Sequence, residues 1–241
     1  MKKHFEVVTE FFNSPHYLEN GRSIIENRIF ILKEFLGELS NVKILDLGCG
    51  DGSLSSAFFN TSNQFTLVDI SPRMLEIAKS KLPNHMINKV ELINSPIENI
   101  NTNDDYDVVI CVGLLAHVPS IDDALKKVSE SMKDKAYAVI EFTPNPNPYE
   151  KFLLPYYILR KKLFGHSMGY QTNKMSLKRL IQLANNHNLQ LIKTRRHYFP
   201  IPTISRWPKK LIATYIRFTL HSNLFSKFGT EHIMLLKKND H

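Results

Sequence analysis

The chain has 241 residues, 43% of them hydrophobic and 22% charged, enough to bury a full core in one domain spanning 1–241 and too polar for a bundle of membrane spans. Its net charge of +8 is unevenly shared: up to Pro148 there are 14 Lys and Arg against 20 Asp and Glu, whereas from Tyr149 onward 17 stand against 3, so the second part is expected to meet an anionic surface or ligand or to form a solvated basic face. Only two cysteines occur, Cys49 and Cys111, without metal-ligand spacing, which argues against a structural zinc site and redox chemistry and favours two free thiols over a disulfide.

Met1-Lys2-Lys3-His4-Phe5-Glu6 carries no leader pattern, so a cytoplasmic location is expected. Ile24, Ile25, Arg28, Ile29, Leu32, Phe35, Leu36 and Leu39 recur at helical spacing, predicting a helical cap within 1–40 ahead of the first strand at 43–47. A strand at 65–69 follows, then a helix opened by Ser71-Pro72 and running to about 82, with proline at its first turn. Strands are predicted at 90–94, 107–112 and 136–142, with a helix from Asp122-Asp123 to 132 between the last two. Residues 145–148, Asn-Pro-Asn-Pro, form a stiff loop that leads into a basic and aromatic segment at 149–165. An amphipathic helix at 176–187 and a strand at 189–198 come next, then a second aromatic and basic segment at 201–229 and a last strand at 231–237. No apolar run exceeds residues 152–159, too short to cross a bilayer. Alternation of this kind predicts an α/β fold, a Rossmann-like seven-stranded, mostly parallel sheet with helices on both faces. The core is expected at 41–148, and the two insertions, bounded at 149–175 and 200–229, fall where α/β enzymes build their substrate pockets.

Val42-Lys43-Ile44-Leu45-Asp46-Leu47-Gly48-Cys49-Gly50-Asp51-Gly52 is a buried strand entering a glycine turn that lets a ligand approach the backbone. A dinucleotide turn would space its glycines as Gly-x-Gly-x-x-Gly, but the third glycine comes one residue early, and Asp46 and Asp51 bracket the turn where they would repel a pyrophosphate. Asp46 and the carbonyl of Gly48 suit the ammonium of a methionine tail instead. The next strand ends in Thr66-Leu67-Val68-Asp69, an acid 21 residues after Gly48 and suited to the two hydroxyls of a ribose. S-adenosylmethionine satisfies both landmarks, with S-adenosylhomocysteine as its product.

With these residues on view, the chain resembles the class I S-adenosylmethionine-dependent methyltransferases across roughly 40–140, through VKILDLGCGDG, LVDISPRMLEIAK, VELINSPIENI and YDVVICVGLLAHV. The resemblance implies that Gly48, Cys49 and Gly50 line the methionine tail, that Asp69 holds the ribose and that Ile70 and Met74 flank the adenine. It places Ser95, Pro96 and Ile97 at the adenine edge, and Cys111, Val112 and Leu114 beside the sulfonium. Plain core packing is the competing role for Met74, Ile97 and Leu114. More narrowly, the chain resembles the ubiquinone-biosynthesis O-methyltransferases. Arg28, 16 residues before Ile44, would then meet the cofactor carboxylate, a contact that suits a two-pronged guanidinium. Ala116 stands where that family has a glutamate linked to metal dependence, so no metal is expected.

The expected reaction is methyl transfer to a small-molecule acceptor, with O-methylation of a phenol, catechol or carboxylate in quinone-like or secondary-metabolite biosynthesis ahead of N-methylation. A displacement of this kind asks an enzyme chiefly to align a nucleophile and exclude water. His117 is the nearest candidate base, with His166 and His197 as loop and strand alternatives and with packing or helix capping as the other role for His117. Tyr17, Tyr149, His166, Tyr170 and His197 are candidates for the acceptor side. The basic insertions are expected to cover the pocket as a lid, or to touch an anionic membrane peripherally. An RNA substrate and a non-catalytic partner subunit are the further alternatives; no appended RNA-binding module accompanies the basic segment.

Overall fold

The computed structural model describes residues 22–101, 105–145, 172–197 and 229–240, together with residues 6, 8–10, 151, 153–156, 158–159, 162, 207–208, 211–212, 214–215 and 218–219. The elements are α1 (Arg22–Leu36), β1 (Lys43–Leu47), β2 (Gln64–Asp69), α2 (Pro72–Ser80), β3 (Val90–Asn94), β4 (Tyr106–Cys111), α3 (Ile121–Ser131), β5 (Met132–Phe142), α4 (Leu177–Asn186), β6 (Leu189–His197) and β7 (Glu231–Lys238). The seven strands form one sheet in the order β3-β2-β1-β4-β5-β7-β6. The pairings among β1 to β5 are all parallel, and β7 runs antiparallel to both β5 and β6.

Burial on both faces explains why β1 and β4 read as nearly unbroken apolar runs. Ile44 and Ile110 point into a cluster with Ile31 and Leu32 of α1 and Leu75 of α2. Leu45, Leu47 and Val109 point the other way, onto Leu125 and Val128 of α3 and Leu180 and Leu183 of α4. Helices therefore cover both faces, as predicted. Strand order reverses between β1 and β4, and the carboxyl ends of strands flanking such a reversal open the crevice in which ligands bind to this type of sheet.

Two details depart from the sequence reading. β5 begins at Met132 rather than near 136, because the chain passes directly from α3 into a strand interrupted by a register shift: Tyr106 faces Met132, and the next pair is Val108 with Tyr137. Lys135 takes a φ of 64° there, and the polar run Lys133-Asp134-Lys135 hid the strand from any alternation test. Three short 3-10 turns, Ser55–Phe58, Asn84–Lys89 and Ile97–Asn99, are too brief to leave a periodic trace. Residues 146–150, 163–171, 198–206 and 220–228 lie outside the described set, and with them most of both insertions.

α2 starts as its sequence predicts. Ser71 is buried, its hydroxyl accepts from the N–H of Met74 at 3.2 Å, and Pro72 follows at a position where a missing N–H does no harm. Ser71→Ala should lower stability by about 1 to 2 kcal/mol in urea titration, the upper end reflecting the buried cap.

Candidate active site

The glycine turn is fixed to the neighbouring strand by its own backbone. Gly48 and Cys49 both donate their N–H to the carbonyl of Val68, at 2.8 and 3.0 Å, and the N–H of Gly50 donates to Asp69 Oδ2 at 2.8 Å. Asp69 Oδ1 accepts from the N–H of Ser71 at 2.8 Å. The carboxylate is thus aimed by two backbone donors at the end of β2. Burial pushes its pKa up against the pull of those two donors and the N–H of Ile70. Gly48 adopts a φ of +73°, and a Cβ there would stand 3.1 Å from Leu114 Cδ1, so any side chain would be strained in its backbone and would press on Leu114, whereas glycine lets β1 and the loop after β4 close together.

A cavity of about 450 Å³ opens over this turn at the carboxyl ends of the parallel strands, within the range of pockets that take a cofactor-sized molecule. Twelve residues singled out from the sequence line it: Arg28, Gly48, Gly50, Asp69, Ile70, Met74, Ser95, Pro96, Ile97, Val112, Leu114 and His117. They come from α1, from α2, from the end of β2 and from the segments that follow β1, β2, β3 and β4, so the fold gathers positions up to 89 residues apart in sequence, from Arg28 to His117.

Four expectations require correction. Asp46 does not line the cavity; it is 1% exposed behind the turn, with Oδ2 accepting from the Ser55 hydroxyl at 2.6 Å. Burial pushes its pKa up to about 7, with the Ser55 hydrogen bond opposing and the charge of Asp69 adding. Asp51, the other bracketing acid, is drawn outward into an ion pair with Lys81. Cys49 and Cys111 are buried in the two packed clusters on either side of the sheet and line no part of the cavity. His197, taken as an acceptor-side residue, is 3% exposed and also off the cavity wall; its Nε2 donates to Glu141 Oε1 at 2.7 Å. Tyr17, Tyr149, His166 and Tyr170 lie outside the described residues.

The residue most clearly missed is Glu141. It is 3% exposed, lines the cavity and forms an ion pair with Arg28. Burial would push its pKa up, but Arg28 and His197 outweigh that and hold the carboxylate well below its usual range. An acid near the end of the apolar run Ala136-Tyr137-Ala138-Val139-Ile140 was the available signal. A strap at residues 172–175 was missed as well. Asn173 donates through Nδ2 to the carbonyls of Leu115 at 3.3 Å and Val118 at 2.5 Å, and its N–H donates to the carbonyl of Ala116 at 2.9 Å. Those bonds pin the loop that carries His117, while Thr172 and Lys174 on either side of Asn173 line the cavity.

Comparison with known families settles what this arrangement belongs to: the family model described as methyltransferase domain matches residues 38–193. The chain belongs to that methyltransferase family. Its seven-stranded sheet with flanking helices matches the Rossmann-like fold of class I methyltransferases. Among curated relatives, the ubiquinone biosynthesis O-methyltransferase of Bordetella avium is 30% identical over 123 residues, 50% of each chain. The mitochondrial ubiquinone biosynthesis O-methyltransferase of Schizosaccharomyces pombe is 34% identical over 103 residues, 42% of this chain and 38% of that protein. The chain spans about half the length of the curated relatives it matches. Among solved structures, magnesium protoporphyrin IX methyltransferase from Synechocystis, with bound SAH, superposes with a TM-score of 0.67 at 16% identity, covering 98% of this chain and all of that one. A possible histamine N-methyltransferase from Thermotoga maritima gives 0.65 at 16% identity with the same coverage. At such identity these two share the fold.

The buried acid of this methyltransferase domain has a measurable signature. Because the folded pKa of Asp46 is raised, the folded state holds a proton that the unfolded chain releases, so stability from this group falls as pH rises from about 4 to about 7 and is flat above that. Asp46→Asn removes the dependence. The variant should match the wild type near pH 4 and exceed it by roughly 1 to 3 kcal/mol at pH 8 in denaturant titrations.

Proposed function

We propose that this protein methylates an oxygen of a small-molecule acceptor, using S-adenosylmethionine. The observation that carries the reading is Asp69, aimed into the cavity by the N–H groups of Gly50 and Ser71 beside a turn whose left-handed backbone at Gly48 favours glycine. A carboxylate already oriented in this way has acceptor capacity left for a pair of vicinal hydroxyls. The backbone of Gly48 and Gly50 would lie along the amino-acid tail, and Ile70, Met74 and Ile97 offer apolar flanks for a purine. When bound, S-adenosylmethionine supplies a methyl group activated by a positively charged sulfur.

What the chain adds is alignment and dryness. Val112 and Leu114 form an apolar wall that excludes water from the reacting end. His117 lines the same cavity, in the loop pinned by Asn173, and would accept a proton from an acceptor hydroxyl. Phe142, Thr143, Thr172 and Lys174 line the cavity beyond it and make the acceptor end mixed in character, apolar with a few polar groups, as a small aromatic or carboxylic acceptor requires. Oxygen is preferred to nitrogen as the acceptor because the curated relatives are named as O-methyltransferases.

A second element of the proposal concerns place. Among the described residues no helix is long and apolar enough to cross a membrane. Leu154, Ile158, Leu159, Leu211 and Phe218 are all at least half exposed and belong to the part of the chain where 17 basic residues face 3 acidic ones. Apolar side chains set in a basic surface suit peripheral contact with anionic lipid on the cytoplasmic side.

Asp69→Ala should weaken S-adenosylmethionine binding more than tenfold in calorimetry, the loss of a charged double acceptor; unchanged affinity would remove Asp69 from the site. Labelled S-adenosylmethionine offered with phenols, carboxylates, amines and bulk RNA should label a phenol or carboxylate, and label in RNA or amines alone would overturn the oxygen acceptor. Vesicles rich in anionic lipid should pellet the protein at low salt and release it as salt rises, with neutral vesicles inert.

A further inference from the structure

One wall of the cavity is a charged cluster that the glycine turn and Asp69 do not account for. Glu141 Oε1 accepts from Arg28 Nε at 3.0 Å and from His197 Nε2 at 2.7 Å, and Oε2 faces Arg28 Nη2. The backbone opposite is cut away for the guanidinium: Gly113 has a φ of +80°, and a Cβ there would stand 3.3 Å from Arg28 Nη2 and 3.4 Å from Nη1. Gly113 adjoins Leu114, the residue against which Gly48 closes. The guanidinium therefore packs on the residue next to the one that closes on the glycine turn, toward the part of the cavity where an amino-acid tail would lie.

A buried pair of opposite charges is costly to desolvate, and its retention at a cavity wall asks for a use. Two charges of opposite sign side by side complement a ligand fragment that carries one of each. The ammonium of such a fragment needs a negative partner, and neither acid that brackets the glycine turn supplies it, since Asp46 is behind the turn and Asp51 is paired with Lys81. The other carboxylates on the cavity wall are set toward other parts of it: Asp69 is turned by Gly50 and Ser71 to the position that suits a ribose, Glu98 follows Ile97 at the purine end, and Glu231 accepts from the hydroxyl of Thr143 at 2.9 Å. Glu141 remains ionised beside Arg28, and three donors leave its four lone-pair sites short of saturation.

We infer that Arg28 and Glu141 together recognise a zwitterionic amino-acid tail, Arg28 meeting its carboxylate and Glu141 its ammonium, with His197 a positioning residue that holds Glu141 at the wall. The inference rests on the reading of the cavity as the S-adenosylmethionine site and adds to it an acid from β5. It makes the site selective for a tail of zero net charge: an anionic tail lacking the amino group meets Glu141 without compensation.

Calorimetry with three probes separates this from a structural role: S-adenosylhomocysteine, its analogue lacking the amino group, and 5′-methylthioadenosine, which lacks the whole tail. In the wild type, S-adenosylhomocysteine should bind more tightly than the deaminated analogue. Glu141→Gln should cut that preference about tenfold and leave 5′-methylthioadenosine within twofold of wild type. Arg28→Met should weaken both carboxylate-bearing probes about tenfold relative to 5′-methylthioadenosine, and His197→Gln should act in the direction of Glu141→Gln with a smaller change. A preference unchanged by Glu141→Gln, or a loss shared equally by all three probes, would overturn the proposal. Should Glu141→Gln fail to fold, Glu141→Asp decides, since it should keep the charge and with it at least part of the preference; a preference abolished by that variant while 5′-methylthioadenosine binds normally would refute recognition by charge. Wild-type protein that binds 5′-methylthioadenosine but shows no preference between the other two refutes Glu141 alone. Wild-type protein that binds none of the three refutes the cofactor reading itself.

Discussion

Everything at the mouth of the sheet depends on the backbone N–H of Gly50 being held by the carboxylate of Asp69. That single bond, at 2.8 Å, ties the turn after β1 to the end of β2, and the two N–H groups given to Val68 O reinforce it. Without it, the glycines would be free to take many conformations, and the entropy lost on ordering them would fall on the ligand instead. With it, the floor of the cavity is set before anything binds. Asp69 consequently has two jobs that share one orientation, organising the turn and presenting its remaining acceptor capacity outward. Its raised pKa is the trace of that position, buried enough to feel desolvation and open enough to face the cavity.

Beside that floor, the chain has distributed its acids by environment rather than by type. Asp46, fully enclosed and given one hydroxyl, moves toward neutrality. Glu141, just as enclosed but faced by a guanidinium and an imidazole, stays ionised. The contrast follows from partners, since burial acts in the same direction on both. It also shows why a carboxylate beside a glycine turn is a poor guide to which carboxylate meets a ligand: the strand direction of Asp46 sends it beneath the turn, whereas the end of β5 delivers Glu141 to the wall.

How much of this was legible in the residues depended on range. The seven strands and four main helices were, because their signals are local: an apolar run, a serine and proline at a helix start, a glycine at a turn. The glycine turn and Asp69 were legible as a pair because their separation is fixed by one strand, one loop and the next strand. Glu141 and His197 were not, since the bond between them joins positions 56 apart through the order in which β5, β7 and β6 lie. No spacing rule reports that order. Asn173 was hidden for the same reason: its partners in the loop after β4 lie 55 to 58 residues earlier. The start of β5 was obscured by a different cause, a bulge rich in lysine and aspartate that breaks alternation.

The reversed direction of β7 has an outcome of its own. Because β7 runs against both of its neighbours, β6 points the same way as β5, and the connection from His197 to Glu231 both leaves and rejoins the sheet at the cavity end. β6, meanwhile, braces the helix that bears Arg28, through Arg195 paired with Glu34 and laid over the ring of Phe30. The strand that runs against its neighbours thus opens at the rim, where its first residue, Glu231, forms part of the cavity wall.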